Sequence, residues 1–549
     1  MRKTVLLVIA AALTCGVFSQ EDMAIVWEQK MGHKIIYHGT DLGNTESGFS
    51  FVASDKELTV FQNKDGKTIW TKAFKEIAPN LRKIDELLAF WESNTIFLFD
   101  RKMGSDQIAC INMDDGSLLW TSDKYQNLSE DLVMYIPEKD AFVLSLKDKL
   151  VFIKARTGEE VWSTAQFKGA VGQWLYLPGE DAILMVNFKP GFLASLFTGF
   201  KNQIMKVNAG NGEVLWESTY IGRAERKAVT RDFVFDLEVV NDKVILRLNG
   251  IQVYDLKTGA NIWSAAYDYT ADGLVRKPQG QVFAFGVYGA VADPLIVGDD
   301  FYVMEMSDKK SQYLKKYDVH TGQLIWTSPE IPQAKAIPGM YLVGDKIILQ
   351  IGGKVEVQYH HKYKSGDSWV EVEFVGYEDV KPYGVKAFNV SDGKMAWESE
   401  KFKKGITNAI YLGNEFIVCS GKELHSINPE NGEDKFVVPV NKGGVGLASL
   451  ILPYNDDIVV VGEKGISKFK ASNGDLVCNA KYKTSRLEAR IGDILILKTD
   501  KADIACFDLS AGCSFAEFKA KTGAATTLTN DASHVYVYED KVVTKVKAK

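Results

Sequence analysis

An all-β fold, a β-propeller of four-stranded antiparallel blades with about eleven repeat units, is predicted by three observations. One phrase recurs along the chain, its spacing has a floor near forty residues, and the two chain ends complement each other. The phrase is clearest at residues 254–264, YDLKTGANIWS, and 317–328, YDVHTGQLIWTS. Indexed on the glycine four residues before the tryptophan, it occurs at Gly66, Gly116, Gly158, Gly212, Gly259, Gly322, Gly393, Gly432, Gly474 and Gly512. Trp70, Trp120, Trp162, Trp216, Trp263, Trp326 and Trp397 hold the aromatic position in the first seven copies. Phe436, Cys478 and Ala516 replace it in the last three.

The turn comes first. Glycine accepts positive φ without a Cβ clash, and Asp or Asn four residues earlier, as at Asn112, Asn208, Asp255, Asp318, Asn389, Asn428 and Asp508, can bond nearby backbone N–H groups. The strand that follows places Leu324 and Trp326 on one expected face, so the indole can be buried against a neighbouring sheet. Such a unit cannot bury its apolar face alone and needs neighbours.

The shortest spacings leave room for four short strands and their turns. In the unit ending at Phe436, NAIYLGN, EFIVCSG and KELHSIN are successive strands, then a turn at 429–432 leads into the last. A radial stack of such sheets is a propeller. The C-terminal stretch HVYVYEDKVVTKVKAK supplies inner strands and stops before any turn phrase, while AIVWEQK at 24–30 is an orphan outer strand carrying Trp27. The first residues are therefore expected to complete the last sheet. One large ring is favoured over two smaller rings of five or six blades, because no second closing strand is visible.

Residues 1–19 read as a secretory signal peptide: Arg2 and Lys3, an apolar run, then Val17-Phe18-Ser19 before Gln20. Residues 20–549 form the propeller. Cys15 follows Ala12-Leu13-Thr14, a poor match to the bacterial lipid-attachment box. No later run approaches the roughly 20 apolar residues of a transmembrane helix. Without Arg2 and Lys3 the 65 basic residues become 63 against 71 acidic, a net charge of −8 that argues against nucleic acid as the main partner. Five cysteines remain (Cys110, Cys419, Cys478, Cys506, Cys513); Cys506 and Cys513 flank one turn and could pair, though small buried residues are the favoured reading.

The phrase D-x-x-T-G-x-x-x-W, at Asp255 to Trp263 and Asp318 to Trp326, resembles the tryptophan-docking repeat of pyrroloquinoline-quinone propellers. That superfamily also holds the non-enzymatic BamB-type outer-membrane assembly propeller. The resemblance implies structural, blade-docking roles for Trp27, for the seven tryptophans above and for Gly66, Gly116, Gly158, Gly212, Gly259, Gly322 and Gly393. An enzymatic member would be expected to carry adjacent cysteines over the cofactor and often a haem-attachment sequence. The chain has neither Cys-Cys nor C-x-x-C-H. No cofactor, metal or catalytic residue is therefore expected, and a quinone-dependent oxidoreductase is the alternative.

Other motifs are explained by the scaffold. His360 and His361 are adjacent on a strand and point to opposite faces, an arrangement unsuited to sharing one metal ion. GNGEVLW around Gly212 is the blade turn rather than a phosphate loop, since no helix follows it.

Three insertions distinguish the chain from a plain propeller: 189–202 and 354–379 between second and third strands, and 267–290 in a crossover. All are expected on the face opposite the glycine turns, where binding is usually placed. In the first, Phe192, Leu193, Leu196, Phe197 and Phe200 have roughly helical spacing. Exposed together they would form a patch suited to a partner or a membrane surface; folded back, they would plug the ring's mouth. The second alternates Val355, Val357, Tyr359 and Val370, Val372, Phe374 about a turn, a protruding hairpin on which Tyr359 and Trp369 are further candidates for partner contact. The expectation is an exported, non-catalytic scaffold binding an envelope protein, in the periplasm or at the outer membrane. A cell-surface carbohydrate or peptide sensor is the third reading.

Overall fold

The computed structural model describes residues 21–102, 106–146, 149–167, 169–188, 201–221, 236–248, 250–266, 282–306, 311–365, 368–400 and 402–548. All ten repeat glycines adopt φ between 66° and 75°. From Gly66 to Gly474 each donates its N–H to the carbonyl four residues back, closing the turn between a third and a fourth strand. In the two clearest copies the aspartate and threonine join this turn. Asp318 Oδ1 accepts from the Thr321 hydroxyl and N–H, both at 2.7 Å, and Asp255 does the same with Thr258.

Among the described residues the strands form eleven antiparallel blades. Blades 1 to 5 span 37–73, 86–122, 133–164, 170–218 and 236–266; blades 6 to 10 span 295–327, 339–399, 406–439, 448–481 and 486–518. Blade 11 takes three strands from 525–547 and its outermost from Ile25–Lys30. That strand pairs antiparallel with Val542–Lys547, with Trp27 opposite Lys545 and Lys30 opposite Val542.

Eleven apolar clusters fill the spaces between successive blades. One joins blade 11 to blade 1 through Trp27, Tyr536, Val52 and Phe61. Because that interface closes the series, the blades form a single ring. First strands of neighbouring blades also touch by hydrogen bonds. The Tyr341 hydroxyl donates to the Ala409 carbonyl at 2.9 Å, and the Asn408 amide both donates to and accepts from the Ile451 backbone.

Two sequence expectations are corrected. Leu324 does not share a buried face with Trp326: it is 45% exposed, because the pairing register shifts between the two positions. A bulge just after the turn in each of the seven tryptophan copies turns the strand so that the tryptophan faces the next blade. Cys506 and Cys513 do not pair either, and the reading of both as free buried residues also fails. Cys513 is disulfide-bonded to Cys478, 35 residues away, while Cys506 is buried and free. The cause is sidedness: Cys513 lies in the cluster between blades 9 and 10, and Cys506 in the one between blades 10 and 11.

Candidate functional site

The repeated phrase works at the interface between blades. Trp216 lies on Gly259 of the next blade, where a Cβ would stand 2.3 Å from the indole, and its Nε1 donates to the Leu256 carbonyl at 2.9 Å. Trp27 on Gly66, Trp70 on Gly116, Trp120 on Gly158, Trp162 on Gly212, Trp263 on Gly322, Trp326 on Gly393 and Trp397 on Gly432 repeat this contact. In each, the indole N–H bonds a carbonyl three residues before the glycine. Glycine is required twice over, by positive φ and by the aromatic ring lying where a side chain would be.

Buried lysines reinforce the same point. Lys206 sits opposite Trp216 on the third strand, and its ammonium also donates to the Leu256 carbonyl, at 3.1 Å. Lys545, opposite Trp27, likewise shares the Asn63 carbonyl with the indole. A carbonyl oxygen has two lone pairs, so both donors can be satisfied. These contacts build the ring.

The face opposite the glycine turns carries the elaboration. The second and third strands of blade 7 continue outward as Lys346–Ser365 and Ser368–Asn389. The strand Val282–Tyr288, from the crossover insertion, pairs along the first of these, with Val282 opposite His361 and Tyr288 opposite Glu356. Two insertions distant in sequence thus form one three-stranded extension. Its inward face is packed: Val287, Val355, Val357 and Val380 belong to the apolar cluster between blades 6 and 7, and Tyr359 rests against it. The Tyr359 hydroxyl donates to Glu378 at 2.7 Å. Trp369, His360 and His361 are placed by backbone pairing, opposite Lys364, Glu373 and Val372. Phe192, Leu193, Leu196, Phe197 and Phe200 lie outside the described residues, as do residues 1–20.

At the foot of this extension is a cavity of about 910 Å³. The hairpin contributes Lys354 and Asp379, the crossover into blade 8 contributes Phe402 to Gly405, and the next second-to-third turn contributes Ser420 to Glu423. His425 and Leu447 complete the walls. The crossover is pinned by the Ser420 hydroxyl, which donates to the Lys404 carbonyl at 2.8 Å, and by the Gly421 N–H on the Gly405 carbonyl. Gly405 lies directly against the Asp379 carboxylate, where a Cβ would come within 2.2 Å of Oδ1. Burial, aided by the same carboxylate, pushes the Tyr383 hydroxyl up to about 12. His425 stands edge-on to Phe402, with Nδ1 3.4 Å from Asp434 and Nε2 3.7 Å from Glu423. Beneath the floor, burial pushes the Cys419 thiol up to about 11, the behaviour of a packed residue rather than a nucleophile.

Sequence reasoning did not find this cavity. Its lysines stand singly or in pairs in FKKG and GKEL, ordinary surface strings, and only the crossover geometry brings them together. Among the described residues no group of three or more His, Cys, Asp and Glu side chains is placed to hold a metal ion, and no helix is long and apolar enough to cross a membrane.

A closed ring whose sheets are joined by tryptophan on glycine defines a docked-repeat propeller. Residues 54–284 match a family model described as outer membrane protein assembly factor BamB. Together with the fold, this match supports a pyrroloquinoline-quinone-like repeat propeller. No curated protein matches it. Among solved structures, BamB from Moraxella catarrhalis is 15% identical with a TM-score of 0.29, over 69% of this chain and 93% of that one. A computationally designed protein, Ika8, is 11% identical with a TM-score of 0.36, over 71% and 100% of the two chains. A eukaryotic initiation factor is 11% identical with a TM-score of 0.38, over 78% and 96%. Scores this low carry no functional argument.

Proposed function

We propose that this protein is an exported, non-catalytic scaffold that binds a protein partner in the bacterial cell envelope. The asymmetry of its two faces carries the reading: one bears short turns and the loop at 41–48, while the other bears the three-stranded extension and its cavity. A regular ring elaborated on one side is the form of a binding platform. The match over 54–284 to an assembly-factor family supports the non-catalytic side of the reading, and the signal-like residues 1–19 support export.

The apolar insertion at 189–202 is the second expected contact, since aromatic anchors at an interface centre contribute about 2 kcal/mol or more each. The test is recovery of a partner from crosslinked envelopes by the intact protein and by a Phe192→Ser/Phe197→Ser variant. Binding should fall about tenfold or more with the melting temperature unchanged. Early melting with binding intact would make the insertion a plug and place the partner elsewhere. Stoichiometric retention of pyrroloquinoline quinone with calcium after desalting would replace the scaffold by an oxidoreductase.

A further inference from the structure

We propose that the cavity at the foot of the blade 7 extension takes an extended acidic segment of the partner polypeptide. The proposal rests on the scaffold reading and names what that scaffold would hold.

Charge is the first argument. Lys354, Lys403, Lys404 and Lys422 line the cavity and are all exposed, and none forms an ion pair with a described carboxylate. Lysines elsewhere in the ring are commonly paired, as Lys206 is with Glu180, Lys346 with Glu430 and Lys386 with Glu398. The two carboxylates in the wall are already engaged, Glu423 beside His425 and Asp379 with Tyr383. In a chain of net charge −6, four lysines against two carboxylates leave this concavity with an excess of positive charge. Such a concavity favours ligands bearing several carboxylates or phosphates.

Backbone and apolar groups select a polypeptide among these. The third strand of blade 7 pairs with its outer neighbour, Met395–Ser399, only from Val385 onward. No described strand pairs with its outer edge over 375–380, beside the cavity, where Val375 is 52% and Tyr377 67% exposed. An open edge offers N–H and C=O groups in register for one more strand. Leu447, 44% exposed at the opposite rim, offers apolar contact to the alternate side chains of such a strand. A free anion would use the lysines and neither of these features.

The test uses the mature protein, a labelled short peptide alternating Glu and Val, and the matching Lys and Val peptide, followed by fluorescence anisotropy. The acidic peptide should bind, more weakly as salt rises, and the basic one should not. Lys403→Glu/Lys404→Glu should weaken binding about tenfold or more. Lys394→Glu, in the glycine turn of blade 7, should leave it unchanged. Equal binding of both peptides, or indifference to the charge reversal, overturns the proposal. Full competition by inorganic phosphate would show an anion pocket and overturn the polypeptide assignment. A partner recovered from envelopes equally by wild type and by Lys403→Glu/Lys404→Glu removes the cavity from the interface but leaves the scaffold standing. Absence of any partner with wild type removes the scaffold itself.

Discussion

Eight of the eleven blade interfaces are joined by tryptophan on glycine, and the three that follow blades 8, 9 and 10 are joined by three other means. After blade 8, Phe436 still lies on Gly474, where a Cβ would come within 2.8 Å of its ring, but a phenyl group has no N–H to donate. After blade 9, Cys478 holds the tryptophan position and Cys513 follows the receiving glycine, so a disulfide crosses where the indole would lie. The carbonyl left without an indole, that of Leu509, accepts the Lys468 ammonium at 2.8 Å. After blade 10 there is no receiving turn at all, because blade 11 takes its fourth strand from the other end of the chain. There the N-terminal residues Glu21–Asp22 run parallel to Ser514–Phe518, Glu21 opposite Ala516, and Met23 is buried behind them. What looks like drift in the sequence is substitution of one cross-link by another. Tryptophan is lost only where another group crosses the gap.

Removing the N-terminal strands should break this comparison most severely. Deleting 21–30 takes away the outer strand of blade 11, Trp27, and the cover over Ala516 together. Closure then depends on side-chain contacts alone, and thermal unfolding should begin far below that of wild type. An unchanged melting curve would show that the ring does not need its N-terminal clasp.

A single tryptophan comes next. Trp216→Ala should cost about 3–5 kcal/mol, the usual penalty for emptying a large aromatic site, read as a lower denaturant midpoint. The disulfide interface should behave differently. Reductant should lower the melting temperature of wild type, since a cross-link of this kind typically contributes about 2–4 kcal/mol. In Cys478→Trp/Cys513→Ala the melting temperature should instead be insensitive to reductant. The exchange has a precedent in the molecule, because Lys206 and Trp216 already share one carbonyl as Lys468 and the new indole would. Ala260 likewise already follows a receiving glycine. Should the double variant unfold early, the disulfide is doing something that the indole cannot.

The same contrast explains what could be read from the sequence. Blade number, strand order and ring closure follow from a phrase whose physics is local: a positive-φ glycine, a turn, and a ring that must find the next turn. The partner of Cys513 was not legible, because two cysteines flanking a turn look adjacent until their sheet faces are known. Leu324 was misread for a related reason, since strict alternation does not anticipate a bulge. The lysine cavity was the least legible feature. Its walls come from two blades, a crossover and a hairpin foot, and no period connects Lys354 with Lys422. Loops that cross between blades carry few local rules, which is why the blades could be counted and the cavity could not.

The smallest expected effect concerns the turn itself. In the Asp-x-x-Thr-Gly copies, Asp255 and Asp318 are held below the ordinary aspartate value of 3.8, chiefly by the Thr258 and Thr321 hydroxyls and then by backbone N–H groups. A carboxylate depressed on folding adds stability that is present above its unfolded value and is lost as pH falls through the folded one. Stability should therefore decline below about pH 4, where the unfolded chain begins to take up protons that the turns exclude. Copies with asparagine, such as Asn428, hold the turn with a neutral side chain and have nothing there to titrate. Asp255→Asn/Asp318→Asn should keep the backbone bonds and flatten the decline, seen as a shallower fall of the denaturant midpoint between pH 5 and pH 3, about the range over which an aspartate titrates. The gain at low pH should be slight, because both aspartates are only half-buried and water screens them. Identical slopes for variant and wild type would mean that these two carboxylates take no part in the acid response, and that the aspartate of the repeat is a choice of shape rather than of charge.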